Sequence, residues 1–322
     1  MHEKVLVEAR DLCKYYKTKN GMLHAVEAVN FSFMEGTTLG VVGESGCGKS
    51  TLGRTVMNLH DATSGTILFD GEDVSRPNKA QKKMIHKNIQ MIFQDPASSL
   101  DPRKCVNDLI AEPMKVMKIC KNKDELQDRV AKLMDTVGLA RRYAFSYPHE
   151  LDGGRRQRIG IARALSVNPR FIVCDEPVSA LDVSIQAQIL NLLQDLQEER
   201  GLTYMFITHN LSVVKHISHE ILVMYLGCQV EKCDSKELFR QPLHPYTKGL
   251  LSAIPIPSIH VDRERIVMAG EVTSPINPKP GCRFAARCPY AVEQCHSALP
   301  KVEEVLPGHY CACHRVRELN DL

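Results

Sequence analysis

Nine residues, Gly43-Glu44-Ser45-Gly46-Cys47-Gly48-Lys49-Ser50-Thr51, combine three glycines, a lysine and three hydroxyls. They satisfy G-x-x-x-x-G-K-[ST], the Walker A P-loop pattern. Glycines let backbone N–H groups wrap phosphates, Lys49 can reach β and γ oxygens, and the Ser50 hydroxyl can ligate Mg²⁺. In "FIVCDEP" an apolar run ends in Asp175 and Glu176. There Asp175 could hold Mg²⁺ through water and Glu176 could polarise an attacking water as general base. Two adjacent acids can also be a solvated strand end, but the four apolar residues before them point to a buried strand. Gln94 in "MIFQDP" and His209 in "FITHN" also close apolar runs with a polar side chain. Each is either a strand cap or a γ-phosphate sensor, the amide for metal and water and the imidazole for an oxygen. Tyr16 in "CKYYK" offers a π face to a purine, with core packing as the competing reading.

A second set of reactive residues lies at the far end. Of twelve cysteines, five follow position 281, and Cys282, Cys288, Cys295 and Cys313 are separated by gaps of five, six and seventeen residues, with Cys311 an extra candidate. Short C-x₂-C pairs are absent, so spacing alone leaves metal thiolates and small packing side chains both open. Cys47 and Cys174 fall inside motifs where a small side chain suffices, though a helix N-terminus would make Cys47 reactive towards alkylating agents.

These residues need a scaffold. "TLGVVG", "NIQMIF", "RFIVCDE" and "LTYMFITH" are short continuous apolar runs, as in buried strands of a mostly parallel sheet. "KVLVEARDL" and "AVEAVNFSF" alternate like exposed-edge antiparallel strands. Helical periodicity covers Lys49 to Leu59, Lys123 to Val137, Arg156 to Leu165 and Ser184 to Glu199. Residues 102–167 show helical patterns and no convincing strand, which predicts an inserted helical lobe. After Phe239 come "PLHPY", "IPIPS" and "SPINPKPG", so a boundary is placed near 240. Residues 1–240 then form an α/β nucleotide-binding domain and 241–322 a small cysteine-containing appendage. The apolar runs are too short to span a bilayer and the start lacks a signal-peptide pattern, so the chain is expected in the cytoplasm, with its thiols reduced. A net charge of +3 from interspersed Lys and Arg gives nucleic-acid binding no support.

The order "GESGCGKST", "FQDP", "LDGGRRQR", "FIVCDE", "SALD", "ITHN" resembles the P-loop, Q-loop, signature, second phosphate motif, D-loop and H-loop of an ATP-binding cassette (ABC) protein. "FQDPASSLDPR" and "PLHPYTKGLLSAIP" resemble more narrowly the ATP-binding subunits of oligopeptide, dipeptide and nickel importers, most like the F-type subunits of oligopeptide permeases. The resemblance implies a P-loop NTPase fold with an antiparallel β subdomain and helical lobe. It also implies ATP hydrolysis with Mg²⁺ held by Ser50, Gln94 and Asp175, catalysis by Glu176, Gln94 and His209, and a position peripheral to the cytoplasmic face of the membrane. Implied partners are a second, different ABC ATPase, two membrane permease subunits and an extracytoplasmic substrate-binding protein. Leu151, Asp152, Gly153, Gly154 and Arg155 would meet the ATP of the partner cassette, and Ser179, Ala180, Leu181 and Asp182 form the D-loop. Peptide import is the favoured role. Import of nickel or another small solute comes next, then a soluble ABC ATPase acting on nucleic acid or ribosomes. A P-loop kinase would need neither the signature nor His209. The terminal cysteines resemble those of peptide-importer ATPases, which implies a [4Fe-4S] cluster on Cys282, Cys288, Cys295 and Cys313, with zinc as the runner-up.

The signature departs from the family pattern, which has Ser at 152 and Gln at 155. Asp152 can cap a helix as Ser does. However, a carboxylate about 4 Å from a phosphate charge, at an effective dielectric near 20, would cost about 4 kcal/mol. Arg155, one turn along, is expected to cancel much of this by pairing with Asp152 or reaching the phosphate.

Overall fold

The computed structural model describes residues 4–254, 266–268, 270 and 273–322. Most of the "IPIPS" segment lies outside them. In chain order the strands are β1 (Val5–Thr18), β2 (Gly21–Met34), β3 (Thr38–Val42), β4 (Ser64–Phe69), β5 (Glu72–Asp73), β6 (Ile89–Ile92), β7 (Phe171–Asp175), β8 (Thr203–Ile207), β9 (Glu220–Tyr225), β10 (Cys228–Asp234), β11 (Glu303–Leu306) and β12 (His309–Cys311). The helices are α1 (Lys49–Val56), α2 (Lys79–Asn88), α3 (Pro96–Ser99), α4 (Val106–Val116), α5 (Lys123–Thr136), α6 (Gly153–Leu165), α7 (Val183–Arg200), α8 (Leu211–Ile217), α9 (Ser235–Arg240), α10 (Pro245–Ser252) and α11 (Glu293–Ser297). No helix among the described residues is long and apolar enough to cross a membrane.

The chain divides into two compact units. One is built mainly on Pro77–Ile207, the other on Val5–Phe33, Thr38–Arg76 and the described part of Thr208–Leu322. In the first, β6, β7 and β8 run parallel, with Met91 beside Val173 and Val173 beside Met205. Every residue of β7 and β8 is buried, which is why these strands read as unbroken apolar runs. Residues 102–167 carry α4, α5, α6 and 3-10 turns. Asn122 caps α5, Asp152 caps α6, and α7 runs from its cap Asp182 to Gly201 in the left-handed region.

In the second unit the strand order is β5-β4-β1-β2-β10-β9-β3. β1 and β2 are therefore interior strands rather than exposed edges. Their alternation comes from one buried and one wetter face, and β1 pairs antiparallel with β4 through a bulge between Arg10 and Cys13. β3 lies parallel to β9 and leads through the P-loop into α1. β10 pairs with β9 on one side, and at Glu231 and Lys232 with β12 of the C-terminal extension. Leu243, Val305, Cys311 and Val316 form a small core within that extension. Beside it Glu231, 0% exposed, accepts from Leu243 N (2.7 Å), His244 N (3.0 Å) and His309 Nε2 (2.7 Å). The Pro-rich "PLHPY" holds a helix start, with His244 Nδ1 capping α10 and Pro245 in its first turn, where a missing N–H costs nothing.

Candidate nucleotide-binding and catalytic site

In the second unit the P-loop is shaped by two glycines with no room for a side chain. Gly43 has φ +152° and its Cβ would stand 2.2 Å from Met224 O; Gly48 has φ +104° and its Cβ would meet Ala25 O at 2.1 Å. α1 has no side-chain cap, so its first N–H groups and dipole are offered to an anion. Lys49, buried, folds back over the loop and donates to Gly43 O (2.8 Å) and Glu44 O (3.0 Å). Ser45 and Gly46 are exposed at the tip, and Ser50 and Thr51 follow on α1. Tyr16 on β1 is half-buried near the same helix. Burial raises its phenol, while Arg54 and the Thr51 hydroxyl of α1 pull it down. His209 is exposed after Thr208, whose N–H donates to Val41 O of β3 (3.1 Å), so the histidine sits at the end of the P-loop strand.

Cys47 overturns one expectation. It is 3% exposed and burial pushes its thiol up, outweighing the nearby Lys49 ammonium. The helix terminus therefore does not make it a reactive thiolate. Cys174 is wholly buried in β7 and likewise raised by burial.

In the first unit the carboxyl ends of β6 and β7 bring Gln94, Asp175 and Glu176 together. Asp175 is 0% exposed. Gln94 Nε2 donates to Glu176 Oε2 at 3.1 Å. Glu176 has φ +46°, a left-handed backbone in which its N–H bonds Ile207 O (2.9 Å) and its carbonyl accepts from Ser179 N (3.2 Å) and Ser179 Oγ (3.1 Å). The chain thus turns sharply at the strand end and aims the carboxylate at Gln94. No sequence pattern signalled that turn.

The signature and D-loop residues also meet within the first unit. Asp152 Oδ1 accepts from Arg155 N (2.8 Å), and its other oxygen takes a salt bridge from Arg155 Nη1. The Arg155 guanidinium also lies over the Tyr143 ring, 4.9 Å from its centroid. Leu151 is buried just before the cap. A Cβ on Gly154 would stand 2.8 Å from Ile185 Cγ2, so this glycine is needed for the close approach of α7, and one on Gly153 would stand 3.2 Å from Leu181 Cδ2 of the D-loop. Ser179 and Ala180 are exposed, and Asp182 caps α7 through Ile185 N (3.0 Å).

Cys282, Cys288, Cys295 and Cys313 line one cavity of about 20 Å³ in the second unit. Burial pushes Cys282 up to about 12, and Cys295, Cys313 and Cys288 each add to the shift. Cys288 and Cys313 are raised for the same reasons. Cys311 sits instead in the apolar core of the extension. Among the described residues no three or more such side chains converge as a site for a metal ion.

A glycine loop between a buried strand and an uncapped helix, with an acidic pair ending another buried strand and a "GG" helix start packed on a D-loop, defines a P-loop ATPase of the cassette type. Residues 26–179 match the ABC transporter family model and residues 230–295 match that of the oligopeptide/dipeptide transporter C-terminal region. The oligopeptide transport ATP-binding protein AppF of Bacillus subtilis is 49% identical, over 97% of this chain and 98% of its own. OppF of the same organism, also described as an oligopeptide transport ATP-binding protein, is 54% identical over 83% of this chain and 87% of its own. Among solved structures, the MJ0796 ATP-binding cassette dimer bound to ADP and Pi aligns with TM-score 0.66 and 28% identity, over 71% of this chain and 99% of that one. The chain belongs to the ABC transporter ATP-binding proteins, in the branch that carries the oligopeptide/dipeptide transporter C-terminal region.

Proposed function

We propose that this chain hydrolyses ATP to energise an importer of peptides across the cytoplasmic membrane, from whose inner face it works peripherally. The observation that carries this is the union in one chain of an ABC cassette with the oligopeptide-type C-terminal region, matched nearly end to end by oligopeptide transport relatives. Its partners in this reading are two membrane permease subunits, a second and different ABC ATPase, and an extracytoplasmic binding protein that selects the peptide.

The residue roles follow from chemistry. Lys49 and the P-loop N–H groups hold the phosphates and Tyr16 stacks on the adenine; Ser50, Asp175 and Gln94 would hold Mg²⁺, which would neutralise charge on the phosphates. Glu176 takes the proton of the attacking water, supported by its hydrogen bond to Gln94, and His209 senses a γ-phosphate oxygen. Leu151 to Arg155 meet the ATP held by the partner's P-loop. The Asp152–Arg155 bridge supports a working signature, because the pair brings almost no net charge to the phosphate.

In this reading Cys282, Cys288, Cys295 and Cys313 would hold a [4Fe-4S] cluster, with zinc as the runner-up. What supports a shared site is that the four thiols line one small cavity. A cluster spreads its ligands over several irons. It would also reverse the cost of placing buried thiolates side by side.

The test is reconstitution with candidate permease subunits, a second ABC ATPase and a peptide-binding protein, in vesicles loaded with ATP and Mg²⁺. Uptake of labelled peptide, abolished by Glu176→Gln, is expected. Uptake of Ni²⁺ with no response to peptide would replace this reading by the nickel-importer alternative.

A further inference from the structure

We propose that Tyr246 and Arg287, both in the C-terminal extension, are positioning residues for the P-loop, acting through Glu44, the loop's second residue. The inference rests on the nucleotide-binding reading above and adds residues outside the cassette motifs to its machinery. Glu44 is gripped twice. Its backbone N–H donates to Tyr246 Oη at 2.9 Å, and its carboxylate receives Arg287 Nη1 at 2.8 and 3.1 Å.

Both grips are rigid. Tyr246 is 0% exposed and its ring is wedged against Tyr225 (centroids 4.7 Å apart) and Phe284 (5.4 Å). The Arg287 side chain is 9% exposed, with Nη1 also 3.4 Å from Tyr225 Oη. Together they fix the orientation of the Glu44 peptide. The Glu44 carbonyl in turn accepts from Cys47 N (3.2 Å) and from Lys49 Nζ (3.0 Å). A continuous chain of contacts therefore runs from the extension through Glu44 to the ammonium that binds phosphate. Fixing a loop before the ligand arrives removes an ordering cost from binding while leaving the chemical step alone. The geometry thus assigns these two residues to nucleotide affinity rather than to turnover.

The experiment measures the Kd of a fluorescent ATP analogue for the full chain, and the single-turnover hydrolysis rate of the assembled transporter at saturating ATP. Arg287→Met is expected to weaken binding about tenfold, as loss of a hydrogen bond to a charged partner does, with the saturated rate within about twofold of the parent protein. Arg287→Lys should recover most of the affinity. The double variant Glu44→Gln with Arg287→Met should bind no worse than the weaker single variant, because both act at one contact. Should Arg287→Met misfold, Tyr246→Phe, which removes a single oxygen, is expected to weaken binding several-fold with an unchanged melting temperature. Unchanged Kd in Tyr246→Phe and the Arg287 variants, additive losses in the double variant, or a slower saturated rate at unchanged Kd would each overturn the assignment. Lys49→Ala in the same assay separates the two readings, since an unweakened Kd there would remove the nucleotide site itself.

Discussion

Glu176 sits in a left-handed backbone conformation that residues with long side chains seldom adopt, at a cost of about 1–3 kcal/mol. That strain turns the carboxylate out of the strand and onto Gln94. Glu176→Gln keeps the shape and loses the proton acceptor, so multiple-turnover hydrolysis should fall by about 10²–10⁴ while ATP binding persists. Wild-type turnover in the assembled complex would rule out the general base. The same scale governs the Asp152–Arg155 bridge. Removing Arg155 alone leaves an unneutralised carboxylate at the signature, so ATPase activity should be much lower in Arg155→Gln than in Asp152→Ser with Arg155→Gln. A double variant no better than Arg155→Gln would mean that the bridge compensates nothing.

At the scale of elements, α10 is where burial and titration meet. His244 caps it with Nδ1 accepting from Tyr246 N (3.1 Å), and burial lowers the imidazole to about 4 from its ordinary 6.5. The unfolded chain therefore binds a proton between those two values that the folded chain does not, and stability falls as pH drops through that window. Against His244→Asn, which caps without titrating, the parent protein should lose on the order of 2 kcal/mol more between pH 7 and pH 5 in urea unfolding. Parallel stability curves for the two proteins would show that His244 is not held neutral. α10 also shows what the sequence concealed. "PLHPY" has the texture of a linker, yet Pro245 in a first turn begins a helix as readily as it ends one. Local signals did mark the glycine loop between β3 and α1 and the buried strands β3, β6, β7 and β8, because each is a matter of neighbouring residue types. The interior position of β1 and β2 depends on partners far along the chain. So does the grip on Glu44 by residues 202 and 243 positions away, which no local pattern carries.

Across the whole molecule, a cluster on the four cysteines would, in the proposed reading, supplement the small apolar core of the extension. Anaerobically purified protein is expected to hold about four irons with labile sulfide per chain and broad visible absorption. Serine at Cys282, Cys288, Cys295 or Cys313 should bleach it, whereas Cys311→Ser, in the apolar core, should not. Colourless protein with one zinc per chain would assign the runner-up metal. Glu231 carries a further consequence, for heredity. All its named donors lie beyond residue 240. A point substitution such as His309→Ala strips one donor from a carboxylate that stays sealed, at a cost of about 1–3 kcal/mol. Deleting the extension outright removes the lid together with the donors and lets water reach the charge. For Glu231, inheriting the loss of one donor is therefore costlier than losing the donors and their cover together.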